Sequence, residues 1–571
     1  MMASTSGSTA ASVPAISGRT ATASIGFVLP SAFVNFGGNI LQKLRRGISM
    51  SKYLGIDAST QSITGLLIDA EQRAIVAEAS INFDEHFKAT YGVVNGVLDL
   101  GEGVIHSAPL MWAEALDLLL QTLADQGHDL GAVRAVAGSG QQHGTVYLNA
   151  SAASALTNLS PTQPLKDQLA AIFSRPTSPI WMDTSTTVQC AEIEAAVGGR
   201  DALLVLTGNA AFERFSGPQI RKFYQTEPGT YADTTYIGLV SSYVASLLAG
   251  RLVGVDPGDG SGTNMMDIAA RQWSARALDA TAPDLAAKLL PITPSGHPVG
   301  PISPYYVARY GFADDCLVLP FSGDNPCSLI GLGLVAPGQV ALSLGTSDTL
   351  FACMDQPRTS TAGEGAVFAS PDGTHYMALT CYLNGSLARE AVRDQYGMNW
   401  NQFTSALRAT PPGNNGALML PYFAPEIVPK VSQPNVVRQN LDPTDAPANV
   451  RAVIEAQALS SRIHARWMGV EISSLYVTGG ASANAEILRV FANVHNCPVH
   501  RFETTNSAAL GAALRAAHAH QSSAGHASSW AEVVEPFAQP VGGSTIEPEP
   551  RAVAAYDELI GQYAALEQAH T

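Results

Sequence analysis

A layered α/β fold is what this sequence predicts, and three observations point to it. Strand-like and helix-like patterns alternate from Tyr53 to about Ala519. The residues are 46% hydrophobic and 14% charged, with 51 Gly and 34 Pro, which suits many buried strands and argues against a disordered chain. A strand, a polar turn and a second strand occur at 53–69 and again at 339–354, a hint of internal duplication. At 571 residues the chain exceeds what one core holds, so two to four domains are expected.

The elements follow in order. YLGID (53–57) is a short apolar strand ending in an acid, and SITGLLID (62–69) and IVAEASINF (75–83) extend it into an antiparallel meander. SAPLMWAEALDLLLQTLADQG (107–127) spaces its apolar residues as a helix does, with Gly127 as its C-cap. VRAVAGSG (133–140) is a strand running into a Gly-rich turn. A second block opens near Leu317 with VLPFSGDN, QVALSLGTSDTLFACM (339–354) and HYMALTCYL (375–383). A helix at about 450–469, the strand SLYVTGG (474–480), a helix from Asn484 and a helix through SAALGAALRAA come next. The stretch 521–550, rich in Ser, Pro, Gly and Glu, reads as a loop, and AYDELIGQYAALEQ as a closing helix packed on the body. The expected division is a leader at 1–50, an N-terminal domain at 51–316, a C-terminal domain at 317–520, and a loop with a terminal helix at 521–571.

The leader contains no Asp or Glu and carries Arg19, Lys43, Arg45 and Arg46. It reads either as an organelle transit peptide or as an over-extended start with Met50 as the true first residue. Cytoplasm is the expected location in the second case, and a plastid or mitochondrion in the first. Its longest apolar stretch, 25–34, is too short to span a bilayer and is broken by Pro30. A net charge of -16 argues against a nucleic-acid backbone as partner. ATP remains open, because a nucleotide needs only a local cradle of N–H groups and a metal ion. Six widely spaced cysteines with no CxxC pair suit a reduced compartment without structural zinc.

Three segments carry chemistry. In LGIDASTQSITGLLID an acid, Asp57, ends a buried strand and a Ser/Thr turn follows. Such a cup suits phosphate oxygens, with the carboxylate holding Mg²⁺ directly or through water; the alternative is an ordinary hairpin with a polar tip. LSLGTSDTLF repeats the geometry with Gly345, Thr346 and Ser347 at the turn, where glycine admits close approach and the hydroxyls bond phosphate. In VTGGASANAEILRVFANV a strand enters Gly479-Gly480, Ala481 follows, and Asn484 either caps the next helix or hydrogen-bonds a base.

In this order the three segments resemble the two phosphate motifs and the adenosine motif of the sugar-kinase, actin and Hsp70 ATPase superfamily. Within it the chain resembles the FGGY carbohydrate kinases, and among them the xylulose kinases of eukaryotic type. The resemblance runs over essentially all of 53–520 and includes GSGQQHGTVYLN, PIWMDTSTTVQC, AFERFSGPQI, DGSGTNMMDI and FSGDNPCSLIGLG. It implies two ribonuclease-H-like domains around a deep cleft, with sugar at the floor and ATP mainly on the second domain. The implied reaction is ATP-dependent phosphorylation of D-xylulose to D-xylulose 5-phosphate by a monomer or homodimer. Another ketose or polyol, such as ribulose or glycerol, and a non-catalytic sugar sensor on the same fold are the alternatives.

The resemblance also implies roles. Asp324 of Gly323-Asp324-Asn325 is the expected general base, because a sugar hydroxyl is a poor nucleophile until a carboxylate accepts its proton. Taken alone, that tripeptide is only a good turn. His143, Arg214 and Asn325 are expected sugar contacts, and for Arg214 the alternative is an ion pair with Glu213. Asp57 is expected at metal and phosphate, Thr60 and Gln61 near the γ-phosphate, and Trp400 either against adenine or in plain core packing. Asp183 either caps the helix that begins in TSTTVQC, the better fit, or faces the sugar. The broader family's second signature is not recognisable in strict form, the sequence there being GALMLPYFAPEIVPK.

Overall fold

The computed structural model describes residues 51–503, 506–526 and 528–571; the expected leader lies outside them. β1 (Lys52–Ala58), β2 (Ser62–Asp69) and β3 (Ala74–Asn82) form the antiparallel meander that the sequence predicts. α1 (Pro109–Asp125) opens with Pro109 at its first position, where a missing N–H costs nothing, and buries Trp112, Leu116 and Leu120 in the core beneath that sheet. β4 (Val133–Gly140) returns parallel to β1. β5 (Gly300–Pro301), β6 (Leu317–Val318) and β7 (Ser322–Gly323) complete the sheet in the order β5-β6-β4-β1-β2-β3, with β7 also paired to β4. The chain therefore leaves the first sheet only after Gly323, later than the border expected at 316/317. β6 and β7 satisfy the backbone groups on the outer side of β4, which would otherwise lie unpaired in the core. α2 (Asp324–Gly331) follows directly.

The second sheet uses β8 (Gln339–Leu344), β9 (Asp348–Met354), β10 (Ala366–Ala369) and β11 (Tyr376–Tyr382). Helices α3 (Ser386–Gln395), α4 (Trp400–Ala409) and α5 (Ala446–His464) precede β12 (Ser474–Thr478), α6 (Ala485–His495) and β13 (Val499–Arg501). Strand order is β10-β11-β9-β8-β12-β13. In both sheets three antiparallel strands stand beside a parallel partner of the first, as β3-β2-β1-β4 and as β11-β9-β8-β12. The duplication hinted at by two polar turns is thus a shared topology.

α7 (Ser507–Ser523) comes from the segment assigned to the second domain, yet it packs on β1, β4 and α2. Its run of small residues, SAALGAALRAA, is buried almost all round, which lets backbones approach. A Cβ on Gly511 would fall 1.9 Å from the Cys327 carbonyl oxygen, and one on Gly331 2.0 Å from that of Ser507. Arg515 of α7 is fully buried; it pairs with Asp256 at 3.1 Å and donates to the carbonyls of Gly138, Ser295 and Pro320. Among the described residues no helix is long and apolar enough to cross a membrane. The 521–550 stretch is more ordered than a loose loop, with a short helix at Trp530–Val534 and a bridge from Val499 to Ile546.

α8 (Pro550–Gln568) packs back on the body as expected, burying Tyr556, Leu559, Tyr563 and Leu566 in the second core. It is tied there by His464, whose Nδ1 meets Glu364 at 2.6 Å and whose Nε2 meets Glu567 at 2.8 Å. Burial opposes the imidazolium, but the hydrogen bonds to Glu364 and Glu567 outweigh it and hold the pKa up at about 9. A raised folded-state pKa gives stability that is fully present below the unfolded value and is lost as pH rises through the folded one. The melting temperature should therefore fall between about pH 6.5 and about 9.5, and His464→Gln should flatten that slope. Parallel slopes for the two proteins in a thermal-denaturation series would contradict the charged pairing.

Candidate active site

Three parallel strands end together in the first sheet. The register sets Asp57 of β1 beside Ser139 of β4, and Ser139 and Gly140 beside Ser322 and Gly323 of β7. Asp324 then begins α2, so a helix N-terminus faces its carboxylate. The Asp57 carboxylate accepts hydroxyl protons from Ser59 at 2.6 Å and Ser139 at 2.7 Å. Burial pushes its pKa up, and the two hydroxyls offset part of that shift. The Asp324 carboxylate accepts the Asn325 N–H at 2.8 Å. Burial, then the charge of Asp57, push its pKa up to about 7, with backbone N–H groups of Asn325 and Gln142 working against them. A carboxylate poised near neutrality is suited to take a proton.

The end of β4 leads into Gln141, Gln142 and His143. Asn325 donates to Gln142 Oε1 at 3.0 Å, and the Thr60 hydroxyl donates to Gln141 Oε1 at 3.3 Å while accepting the Trp181 indole N–H at 2.8 Å. The side-chain amide nitrogens of both glutamines are buried and have no hydrogen-bond partner within the protein. His143 has a left-handed backbone (φ 73°) and stacks on Phe215 at 4.4 Å. Its Nδ1 lies 2.6 Å from the Gly262 carbonyl, so Nδ1 carries the hydrogen and Nε2 is left as an acceptor. Burial and then the Arg214 charge lower its pKa to about 3, and the ring is neutral. The Arg214 guanidinium lies over the Phe212 ring at 4.7 Å, while Glu213 accepts from Thr187. His143, Arg214, Phe212 and Phe215 line a cavity of about 160 Å³ that Glu364, Phe368 and Cys381 also line. Asp324 and Asn325 do not line it; Gln142 connects them to the strand end that bears His143.

Sequence reasoning took Gln141 and Gln142 as the polar neighbours of His143, a cluster suited to a polyol, but missed other members. Ser139 and Trp181 stand inside motifs it quoted, and their only signal was proximity to His143 and Asp183. Asp259 is fully buried, takes the Ser241 hydroxyl on one oxygen and has no partner on the other. Burial raises its pKa well above the usual range, and the charges of Asp324 and Asp256 add to the shift. Asp183 does not cap the helix at Thr187–Ala196; the cap position is Thr186. Its buried carboxylate instead accepts from the Ile105 and Ser185 N–H groups and from Gln219, because it lies three residues short of that cap and turns inward.

In the second sheet β8 and β12 run parallel up to Ser343 beside Thr478, so the Gly345–Ser347 turn and the Gly479-Gly480 turn are neighbours. Gly479 has φ 86°, and a Cβ there would stand 2.6 Å from the Leu344 carbonyl oxygen. Only glycine fits so close to the strand end. Beside it opens a cleft of about 590 Å³ lined by Ser386, Trp400, Thr404, Gly480, Ala481 and Asn484. Gly345, Thr346, Ser347 and Gly479 do not line it but adjoin it, the Ser386 N–H donating to the Gly345 carbonyl at 2.9 Å. Asn484 caps α6 through the Glu486 and Ile487 N–H groups and donates to Thr404 at 2.8 Å. Trp400 is 42% exposed on the cleft wall, so core packing is not its role. The Arg393 guanidinium lies 4.5 Å from its ring.

Comparison with known proteins places this arrangement. The N-terminal domain of the FGGY family of carbohydrate kinases matches residues 177–331 and its C-terminal domain residues 340–520. The second match spans GALMLPYFAPEIVPK, so departure from the strict signature does not take that segment out of the domain. The chain is 44% identical to the xylulose kinase of Mus musculus over 90% of this chain and 94% of that one. It is 43% identical to xylulose kinase 2 of Arabidopsis thaliana over 82% and 87%. The solved xylulose kinase of Rhodospirillum rubrum superposes with a TM-score of 0.74 at 20% identity, covering 91% and 98%, a likeness of fold. The paired sheets are the two ribonuclease-H-like halves of the actin-like ATPase fold, and the chain belongs to the FGGY family of carbohydrate kinases.

Proposed function

We propose that this sugar kinase transfers the γ-phosphoryl group of ATP to D-xylulose, Asp324 accepting the proton of the attacking hydroxyl. The observation that carries the chemistry is the placing of Asp57 and Asp324 at the ends of the two strands that flank β4, with the Asp57 charge helping to hold Asp324 near neutrality. The relatives named xylulose kinase at 43–44% identity support the choice of sugar. The sugar lies along the strand end of Gln141, Gln142 and His143, a hydroxyl meeting His143 Nε2, with Arg214 and Asn325 beside it. Adenine lies in the cleft against Trp400 and the bare backbone of Gly480 and Ala481, and the phosphates reach the turns at Asp57–Gln61 and Gly345–Ser347.

Asp57 suits Mg²⁺ as this reaction uses it, because that ion takes one or two carboxylates and completes its shell with phosphate oxygens and water. Among the described residues no cluster of three or more His, Cys, Asp or Glu is arranged to hold a metal, so Asp57 would act with the nucleotide, not as part of a protein cage. A bound Mg²⁺ supplies positive charge against the phosphate oxygens. Asp57, with Ser59 and Ser139 fixing its orientation, holds that position; Asp324 holds the proton.

A coupled ADP-release assay with D-xylulose, D-ribulose, glycerol and gluconate tests the reading. D-xylulose should exceed the others in kcat/KM by at least about tenfold. Preference for glycerol or ribulose would leave the kinase and remove the sugar assignment. No sugar-dependent release at all would remove the enzyme assignment itself.

A further inference from the structure

Behind the Gly345–Ser347 turn sits a charged side chain that neither the sequence motifs nor the proposed roles account for. Arg389 of α3 is 0% exposed. Its two terminal nitrogens form a fork on the Asp348 carboxylate at 2.8 and 2.9 Å. Nη2 also donates to the Gly345 carbonyl at 3.1 Å and to the Ser386 hydroxyl at 3.3 Å, while Nη1 donates to Gln457 Oε1 at 3.0 Å. Gln457 in turn donates to the carbonyls of Asn384 and Gly385 at 2.7 and 2.9 Å. One guanidinium thus joins the end of the turn, its first carbonyl, the start of α3 and the middle of α5.

A buried ion pair of this kind is a weak source of stability, since desolvation cancels much of the attraction. Its value lies in geometry. A phosphate approaching the turn is repelled by carbonyl oxygens and attracted by N–H groups. A trans peptide is planar and sets its C=O and N–H on opposite sides. With the Gly345 carbonyl drawn inward by Arg389 and by the Ser386 N–H, the N–H of the exposed Thr346 points outward from the turn.

We propose that Arg389 is the positioning residue of the second phosphate turn, locking the Gly345–Thr346 peptide so that its N–H faces the nucleotide. This rests on the reading that the turn holds ATP phosphates. A lysine keeps a charge opposite Asp348 but cannot span the fork and the carbonyl together. A paired apolar replacement keeps the volume and removes both charges, so the ion pair as such is dispensable there.

The test compares wild type, Arg389→Lys and the double variant Arg389→Met/Asp348→Leu by ADP-binding calorimetry, steady-state kinetics and thermal denaturation. The inference expects ADP affinity to drop and the KM for ATP to rise by about tenfold or more in both variants, with the sugar KM within about twofold. It expects the double variant to melt close to wild type. ADP affinity and ATP KM unchanged in either variant would overturn it. ATP and sugar KM rising together would also overturn it, because that is the mark of general loosening. Wild type that binds ADP without sugar-dependent turnover would remove the proposed reaction and still leave Arg389 judged by calorimetry. Wild type that binds no ADP would remove both.

Discussion

Asp324→Asn should fold and bind sugar normally while sugar-dependent ADP release falls by about a thousandfold, the worth of a well-placed general base. The replacement keeps the shape at the start of α2 and keeps an oxygen to accept the Asn325 N–H. What it removes is the site for the hydroxyl proton. The pH profile carries the same test in the unmodified protein. Burial and the Asp57 charge place the Asp324 pKa at about 7. As the proposed base Asp324 works ionised, so kcat/KM should rise with pH through about 7 and fall away below it. Neutralising the neighbour shifts that limb: Asp57→Asn removes one of the two raising influences, so the apparent pKa should drop alongside any loss of phosphate binding. Near-normal turnover in Asp324→Asn, with a flat profile between about pH 6 and about 8, would transfer the base to another group, and the buried Asp259 would be the first to examine.

Much of this was legible before any coordinates. Short, bounded apolar runs marked β1, β2 and β4, which are buried on both faces, and alternation marked β3, which is buried on one, all to within a residue or so. Asp57 and the Gly-Gly turn drew notice as an acid and glycines at strand ends, each with an ordinary structural reading beside it, while Asp324 was legible only through the family resemblance, since Gly-Asp-Asn alone is a turn. Long-range pairing was not legible. Nothing local says that Leu317–Val318 and Ser322–Gly323 extend the first sheet, since two-residue strands carry no period. Nor does SAALGAALRAA announce its partner; small residues show that something comes close, not what. The same holds for Asp259 and Arg389, whose meaning lies in neighbours distant in sequence, and for Asp183, which looked like a cap by spacing and proved to be an interior brace.

Gly511→Ala tests the contact on which the site's geometry depends. The added methyl would stand 1.9 Å from the Cys327 carbonyl oxygen and 2.9 Å from the Gly331 nitrogen, both backbone atoms that no rotamer change can move aside. α2 and α7 must separate, and α7 is also laid on β1 and β4. Overpacking against side chains typically costs about 1–3 kcal/mol; against backbone on both sides the cost should reach about 3 kcal/mol or more. For the Met50–Thr571 unit, at about 2.1 cal/mol/K of unfolding entropy per residue, that is a fall in Tm of about 3 °C. Gly561→Ala in α8 is the control, since its Cβ meets nothing within 4 Å and alanine is the better helix former. Activity should suffer beyond stability. α2 carries Asp324 at its first position and α7 backs the strand that carries Asp57, so parting the helices moves the proposed base relative to the acid proposed to meet phosphate. A misplacement of about 1 Å costs on the order of a hundredfold in rate. At a temperature where Gly511→Ala is still folded, kcat should therefore drop much more than the KM for sugar changes. A variant as stable and as fast as the Gly561→Ala control would show that the crossing has slack, and that the two carboxylates are held in register by the sheet alone.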